Sequence, residues 1–253
     1  MSVIEVREVS KGFDIPSVRR DTLREHVFGL LQRQTYERLQ VLDSVSFAVE
    51  RGETVGIMGR NGSGKSTLLK IICQIYEPDR GAVVVRAPVT PILELGVGWN
   101  PELDAIDNTL LLGTVMGMSL KEAEASIDEI LAFAGLERFA RLALKHYSSG
   151  MAARLAYSVA FKAVREILVL DEVFAVGDAE FKARCEARYR ELSAAGYTVI
   201  LVSHDPKAIA TFCGRALLLE GGRILMNGSA ATVAEAYLSL LGGVEEPAAE
   251  PSR

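Results

Sequence analysis

Nine residues, Gly59-Arg60-Asn61-Gly62-Ser63-Gly64-Lys65-Ser66-Thr67, constrain this chain more than any other stretch. They follow Thr54–Met58, which the apolar run assigns to a short buried strand, and precede Leu68–Ile75, which reads as a helix whose start lies near Lys65. Glycines let the backbone bend tightly, so that consecutive N–H groups converge on one anion. The helix start adds the positive end of its dipole. Strand, loop and helix in this order form a phosphate-binding loop. Lys65 is then placed to reach the β- and γ-phosphates of a nucleotide, and the Ser66 hydroxyl to coordinate Mg2+.

A second motif lies far downstream. Ile167–Leu170 is an apolar strand that delivers two carboxylates, Asp171 and Glu172, at its carboxyl end, where α/β sheets bind their ligands. Paired with the loop, Asp171 is expected to hold Mg2+, through water, and Glu172 to orient and deprotonate an attacking water. Further strands are expected at Val3–Val9, Val41–Glu50, Ala82–Arg86 and Thr198–Val202, with a hairpin of Arg215–Glu220 and Arg223–Met226 around Gly221-Gly222. Helices are expected over Ala179–Ala194 and Ala231–Leu241, with a helical turn at Pro206–Thr211. From about Pro101 to Arg165 the pattern is mostly helical, and Ser119 with Glu122 forms a capping box for a helix running through Leu131. The order is an α/β core interrupted by a helical block.

Composition narrows the function classes. The 253 residues are 49% hydrophobic and 24% charged, ordinary for a globular chain, and no run approaches the roughly 18 to 20 apolar residues of a membrane span. Met1–Val6 shows no secretory signal. The net charge of −5 argues against a chain that coats nucleic acid. Cys73, Cys185 and Cys213 form no CxxC pair, so they read as small core residues in a reducing compartment.

The order of these motifs resembles the nucleotide-binding domain of ABC ATPases. The resemblance implies a phosphate-loop NTPase core with an antiparallel β subdomain and an inserted helical subdomain, with ATP and Mg2+ as cofactors. Tyr147-Ser148-Ser149-Gly150-Met151 stands where the family's signature, usually Leu-Ser-Gly-Gly-Gln, belongs. Ser148 and Gly150 are kept, Ser149 replaces a glycine and Met151 the glutamine. In the family this loop binds the γ-phosphate held by the other protomer, which implies a head-to-tail homodimer with two shared ATP sites. His204, in Ser203-His204-Asp205, matches the histidine that contacts the γ-phosphate, although a lone histidine after a strand is more often a surface residue. Ala175-Val176-Gly177-Asp178 matches the loop across the dimer interface. Phe13, in Lys11-Gly12-Phe13, matches the aromatic that stacks on adenine, with plain core packing as the alternative. Gly59 through Thr67, Ser148, Ser149, Gly150 and Asp178 complete the expected nucleotide contacts. The family's usual Mg2+-binding glutamine is missing from Val89–Leu103, and Glu94 is the nearest candidate.

Three segments narrow the resemblance: Pro91–Leu103, Tyr147–Leu155 and Asp171–Phe181 look like the ATP-binding subunits of bacterial polysaccharide exporters, which move lipid-linked O-antigen, capsule or teichoic acid chains. Asp104-Ala105-Ile106-Asp107-Asn108 departs from that branch's usual Thr-Gly-Arg-Glu-Asn. The branch implies a separate integral membrane subunit as partner and a peripheral position on the cytoplasmic face of the inner membrane. A different cargo, or a soluble ABC ATPase without a transport role, is the alternative. The expected organisation is an ATPase domain over residues 1–241, its helical subdomain about 97–165, and a flexible tail over 242–253. Residues 19–33 are expected to form an inserted amphipathic helix, lying either at the membrane face near the channel entrance or against the ATPase surface. Trp99 is expected to meet the membrane partner.

Overall fold

A computed structural model describes residues 1–16, 36–93, 98–171 and 177–242. The insert expected at 19–33, Glu94, Glu172 and the tail beyond 242 fall outside these residues. Two sheets organise the chain. Strands β1 (Ser2–Pro16), β2 (Tyr36–Glu50) and β4 (Arg80–Val85) form an antiparallel sheet in the order β2-β1-β4. The larger sheet has the order β5-β6-β7-β3-β8-β9, from β3 (Thr54–Met58), β5 (Val89–Ile92), β6 (Ile167–Asp171), β7 (Thr198–Val202), β8 (Arg215–Glu220) and β9 (Arg223–Ser229). Its ladders are parallel except for the β8–β9 hairpin.

Strand alternation divides the core between the two faces of the larger sheet. Ile167, Val169, Ile200 and Val202 face one way, onto helix α1 (Lys65–Ile72) and the inner side of the small sheet, among them Leu68, Leu69, Ile4 and Val45. Leu168, Leu170, Val199 and Leu201 face the other, onto α5 (Ser149–Lys162), α6 (Ala179–Ala194), α7 (Pro206–Phe212) and α8 (Ala230–Gly242). Both faces are covered, which explains why these strands are continuous apolar runs. Burial pushes all three thiols up to about 12, so Cys73, Cys185 and Cys213 remain protonated at neutral pH.

The helical block holds α2 (Ala105–Val115), α3 (Leu120–Ala125), α4 (Ile127–Ala134), two short 3-10 turns and α5, around Leu112, Ile130, Leu136 and Leu155. The Ser119–Glu122 capping box is present, but the expected single helix through Leu131 is broken at Ser126. There the Ser126 hydroxyl donates back to the Glu122 carbonyl at 2.8 Å, a bond that competes with the helix ladder. The segment resumes as α4 and ends at Gly135.

Other boundaries also differ. α1 ends at Ile72 rather than Ile75, because Gln74 turns to φ 59. β1 and β2 extend well beyond the expected Val3–Val9 and Val41–Glu50, pairing with each other as far as Pro16 and Tyr36. β5 was not expected, since Pro91 sits within it. It lies at the edge of the sheet, the place where a strand tolerates proline. Among the described residues no helix is long and apolar enough to cross a membrane.

Candidate active site

The loop between β3 and α1 is held from below by tight packing. A Cβ on Gly59 would lie 2.1 Å from the Leu219 carbonyl oxygen, and one on Gly64, at φ 106, would lie 2.7 Å from Leu42 Cδ2. Neither position accepts a side chain. The Gly221-Gly222 turn braces the loop from β8, with the Gly222 N–H donating to the Ser63 carbonyl at 3.2 Å. No side chain caps α1 at Gly64 and its first turn holds no acidic residue, so the amides of that turn are left to the loop with no carboxylate of their own turn beside them. The buried Ser63 hydroxyl finds no partner among the described residues. Lys65 Nζ donates to the carbonyls of Gly59 and Arg60 at 2.7 and 2.8 Å, which lays its ammonium along the loop. Arg60, Asn61 and Gly62 form the exposed outer rim and Thr67 is half-buried in α1.

Parallel pairing brings the ends of β3, β6 and β7 to one edge. Asp171 ends β6 opposite Val202, and the Ser66 hydroxyl donates to Asp171 Oδ2 at 3.5 Å. Two residues separated by 105 positions in sequence thus present oxygens side by side. His204, exposed, follows β7, the strand between those that carry the loop and Asp171. Asp205 beyond it caps α7 by accepting the Lys207 N–H at 2.9 Å.

Beyond the carboxyl end of α1 lies an aromatic pair. Phe13, half-buried on β1, meets Tyr76 edge-on with ring centroids 5.7 Å apart, and Lys11 Nζ lies 5.7 Å from the Phe13 centroid. Asp79 accepts hydrogen bonds at 2.9 Å from both Lys11 Nζ and the Gly12 N–H. The Gly12 amide and the Lys11 ammonium hold its carboxyl below the usual carboxylate range. Sequence reasoning missed Tyr76 and Asp79; the turn Glu77–Gly81 was legible only as a turn, because Asp79's partners lie far away in sequence.

Ser148 opens α5 as its N-cap, accepting the Met151 N–H at 3.2 Å, and Ser148, Ser149 and Gly150 are all exposed in the helical block. Asp178 caps α6 by accepting the Phe181 N–H at 2.9 Å and pairs with Arg154 of α5 at 3.4 Å. Its contacts in this chain therefore join two helix starts. Arg154 was visible in the sequence only as part of the helix after the signature.

A groove of about 900 Å3 runs between the β5 edge and the helical block, lined by Ile75, Pro91, Leu93, Trp99, Val115 and Met116, among others. Asn108, buried, holds the loop below Trp99 by accepting the Asn100 N–H and donating to the carbonyls of Asn100, Leu103 and Asp104.

Comparison with known proteins agrees with this arrangement. Residues 42–175, more than half of the chain, match the ABC transporter family. The ABC transporter protein AbcA of Aeromonas salmonicida is 38% identical over 239 residues, covering 94% of this chain and 77% of that protein. The O-antigen export system ATP-binding protein RfbB of Klebsiella pneumoniae is 37% identical over 213 residues, covering 84% and 85%. A solved ATP-binding subunit of an ABC transporter superposes with a TM-score of 0.74 at 26% identity, over 93% of each chain. With the loop, the paired carboxylate strand and these relatives in agreement, the chain belongs to the ABC transporter family, as one of its ATP-hydrolysing cassettes.

Proposed function

We propose that this cassette powers the export of a lipid-linked polysaccharide, as a homodimer that shares two ATP sites and drives a separate membrane-spanning subunit. The observation that carries the catalytic part is the meeting of Ser66 and Asp171, 3.5 Å apart at the mouth of the phosphate loop. Both are hard oxygen donors, close enough to serve one ion directly or through water, which fits Mg2+. Ser66 and Asp171 would hold that ion, which would supply charge neutralisation at the nucleotide phosphates.

The remaining roles belong to side chains. The α1 amides and Lys65 hold the phosphates, and Phe13 stacks on the base. Glu172, next to Asp171, takes a proton from the water whose oxygen attacks the γ-phosphorus, while ADP leaves. His204 contacts the γ-phosphate from the end of β7. Positioning and charge stabilisation do most of this catalysis. Ser148, Ser149 and Gly150 face solvent at a helix N-terminus, a surface suited to the phosphate of a second protomer's nucleotide. Asp178 lies at the same interface. Glu94, five residues before Trp99 in the sequence, remains a candidate Mg2+ ligand.

The apolar groove at Trp99 suits a helix of the membrane subunit, because Ile75 and Val115 are more than half exposed there. In this reading the cassette sits on the cytoplasmic face of the inner membrane. The polysaccharide cargo is supported by the O-antigen exporter relative. Glu172→Gln, trapped with ATP and purified from native membranes, tests the whole reading. Mass spectrometry is expected to find a multi-span membrane protein carrying a glycolipid. A membrane partner with another ligand removes the cargo, and soluble partners alone, with ATP held, remove transport.

A further inference from the structure

We infer that Asp79 is a positioning residue for the nucleobase, fixing the Phe13 platform at a set distance from the phosphate loop. The inference rests on the proposal that Phe13 stacks on adenine. Backbone pairing alone leaves this part of β1 weakly fixed. The β1–β4 ladder stops at Ser10, and the β1–β2 register shifts on both sides of Lys11. Phe13 lies just past these irregularities, where one strand supports it instead of two.

Asp79 supplies the missing support. Its N–H donates to the Ser10 carbonyl at 2.8 Å, its Oδ2 accepts the Gly12 N–H and its Oδ1 accepts Lys11 Nζ, each at 2.9 Å. Arg38 of β2 also reaches Oδ2. The carboxylate therefore grips the two residues before Phe13 and the neighbouring strand, and the backbone of the same residue holds Ser10. Through Lys11 it also places a cation against the Phe13 ring. Tyr76, three residues upstream, meets the ring edge-on with planes at 67°. Both Tyr76 and Asp79 follow directly from α1, whose first turn lines the phosphate loop. A single stretch, 65–79, thus holds the phosphate end and the base end of one ligand.

The test separates base from phosphate recognition. ATPase kinetics of Asp79→Ala, Phe13→Ala and the double variant are compared, with inorganic tripolyphosphate, which has no base, as a competitive inhibitor. Asp79→Ala is expected to raise KM for ATP about three- to tenfold, the range for losing an aromatic contact, with little change in kcat. Tripolyphosphate inhibition is expected to stay at its original strength, and the double variant to resemble Phe13→Ala alone. Asp79→Asn, which keeps an acceptor for the Gly12 amide, is expected to fall between. Equal loss of ATP and tripolyphosphate binding overturns the inference in favour of a general structural role, and so do independent, multiplying effects. If Phe13→Ala weakens ATP but Asp79→Ala and Asp79→Asn do not, only the positioning role falls. If Phe13→Ala leaves KM unchanged, the stacking proposal falls and takes the inference with it.

Discussion

Lys65 lies along the carbonyls of Gly59 and Arg60 with its charge inside the loop it serves. Its removal takes away a charge-assisted contact to phosphate that no neighbouring cation of α1's first turn replaces. Lys65→Ala is expected to weaken ATP binding by about two orders of magnitude in a fluorescent-nucleotide titration; affinity near that of the unaltered chain would contradict the role given to the loop. Lys65, Ser66 and Asp171 were legible in the sequence because local spacing determines their placement: a strand must end before each group. Tyr76 and Asp79 were not, since their importance lies in contacts with β1 more than sixty residues away. Asp178 was legible as a loop residue, while its cap on α6 and its pairing with Arg154 emerged only from packing.

The turn between β2 and β3 is clasped to β8 by Glu53 and Arg215. Arg215 Nε donates to Glu53 Oε1 at 2.7 Å, and its Nη2 donates to the Ala48 carbonyl at 2.7 Å. Burial pushes the Glu53 carboxyl up, but Arg215 and the Glu50 amide outweigh it and leave it below the usual 4.5. A carboxyl with a lowered folded value stabilises the fold above its unfolded value, and that contribution is lost as pH falls through the folded one. Glu53→Gln is therefore expected to cost about 1–2 kcal/mol near pH 7, with the gap to the unaltered protein closing below about pH 4.5 in urea unfolding. A gap that stays constant down to acid pH would rule out the clasp as its source. Strands buried on both faces were legible at this scale, because β3, β6 and β7 must be continuous apolar runs. The break at Ser126 was hidden: a capping box fixes where a helix begins, and a hydroxyl's choice of a carbonyl one turn back decides where it stops.

Across the whole molecule, the sheet edge, the helical block and the loop tied by Asn108 enclose one apolar groove, with Trp99, the chain's only tryptophan, in its wall. Trp99→Ala is expected to lower recovery of the membrane subunit about tenfold when the cassette is used to pull it down from detergent extracts. Undiminished recovery would move the docking site elsewhere. The order of an α/β core and a helical block was legible from motif order, whereas the groove was not, because it exists only where β5 meets α2 and α5. Pro91 adds a consequence of its own. The β5–β6 ladder runs unbroken from Val89 to Ile92, so the nitrogen that lacks a hydrogen faces outward, away from β6. A stray peptide approaching that margin meets an interrupted row of donors and cannot add itself as a seventh strand. The border is closed to self-association through its backbone, and any visitor must be recognised by the shape of its side chains.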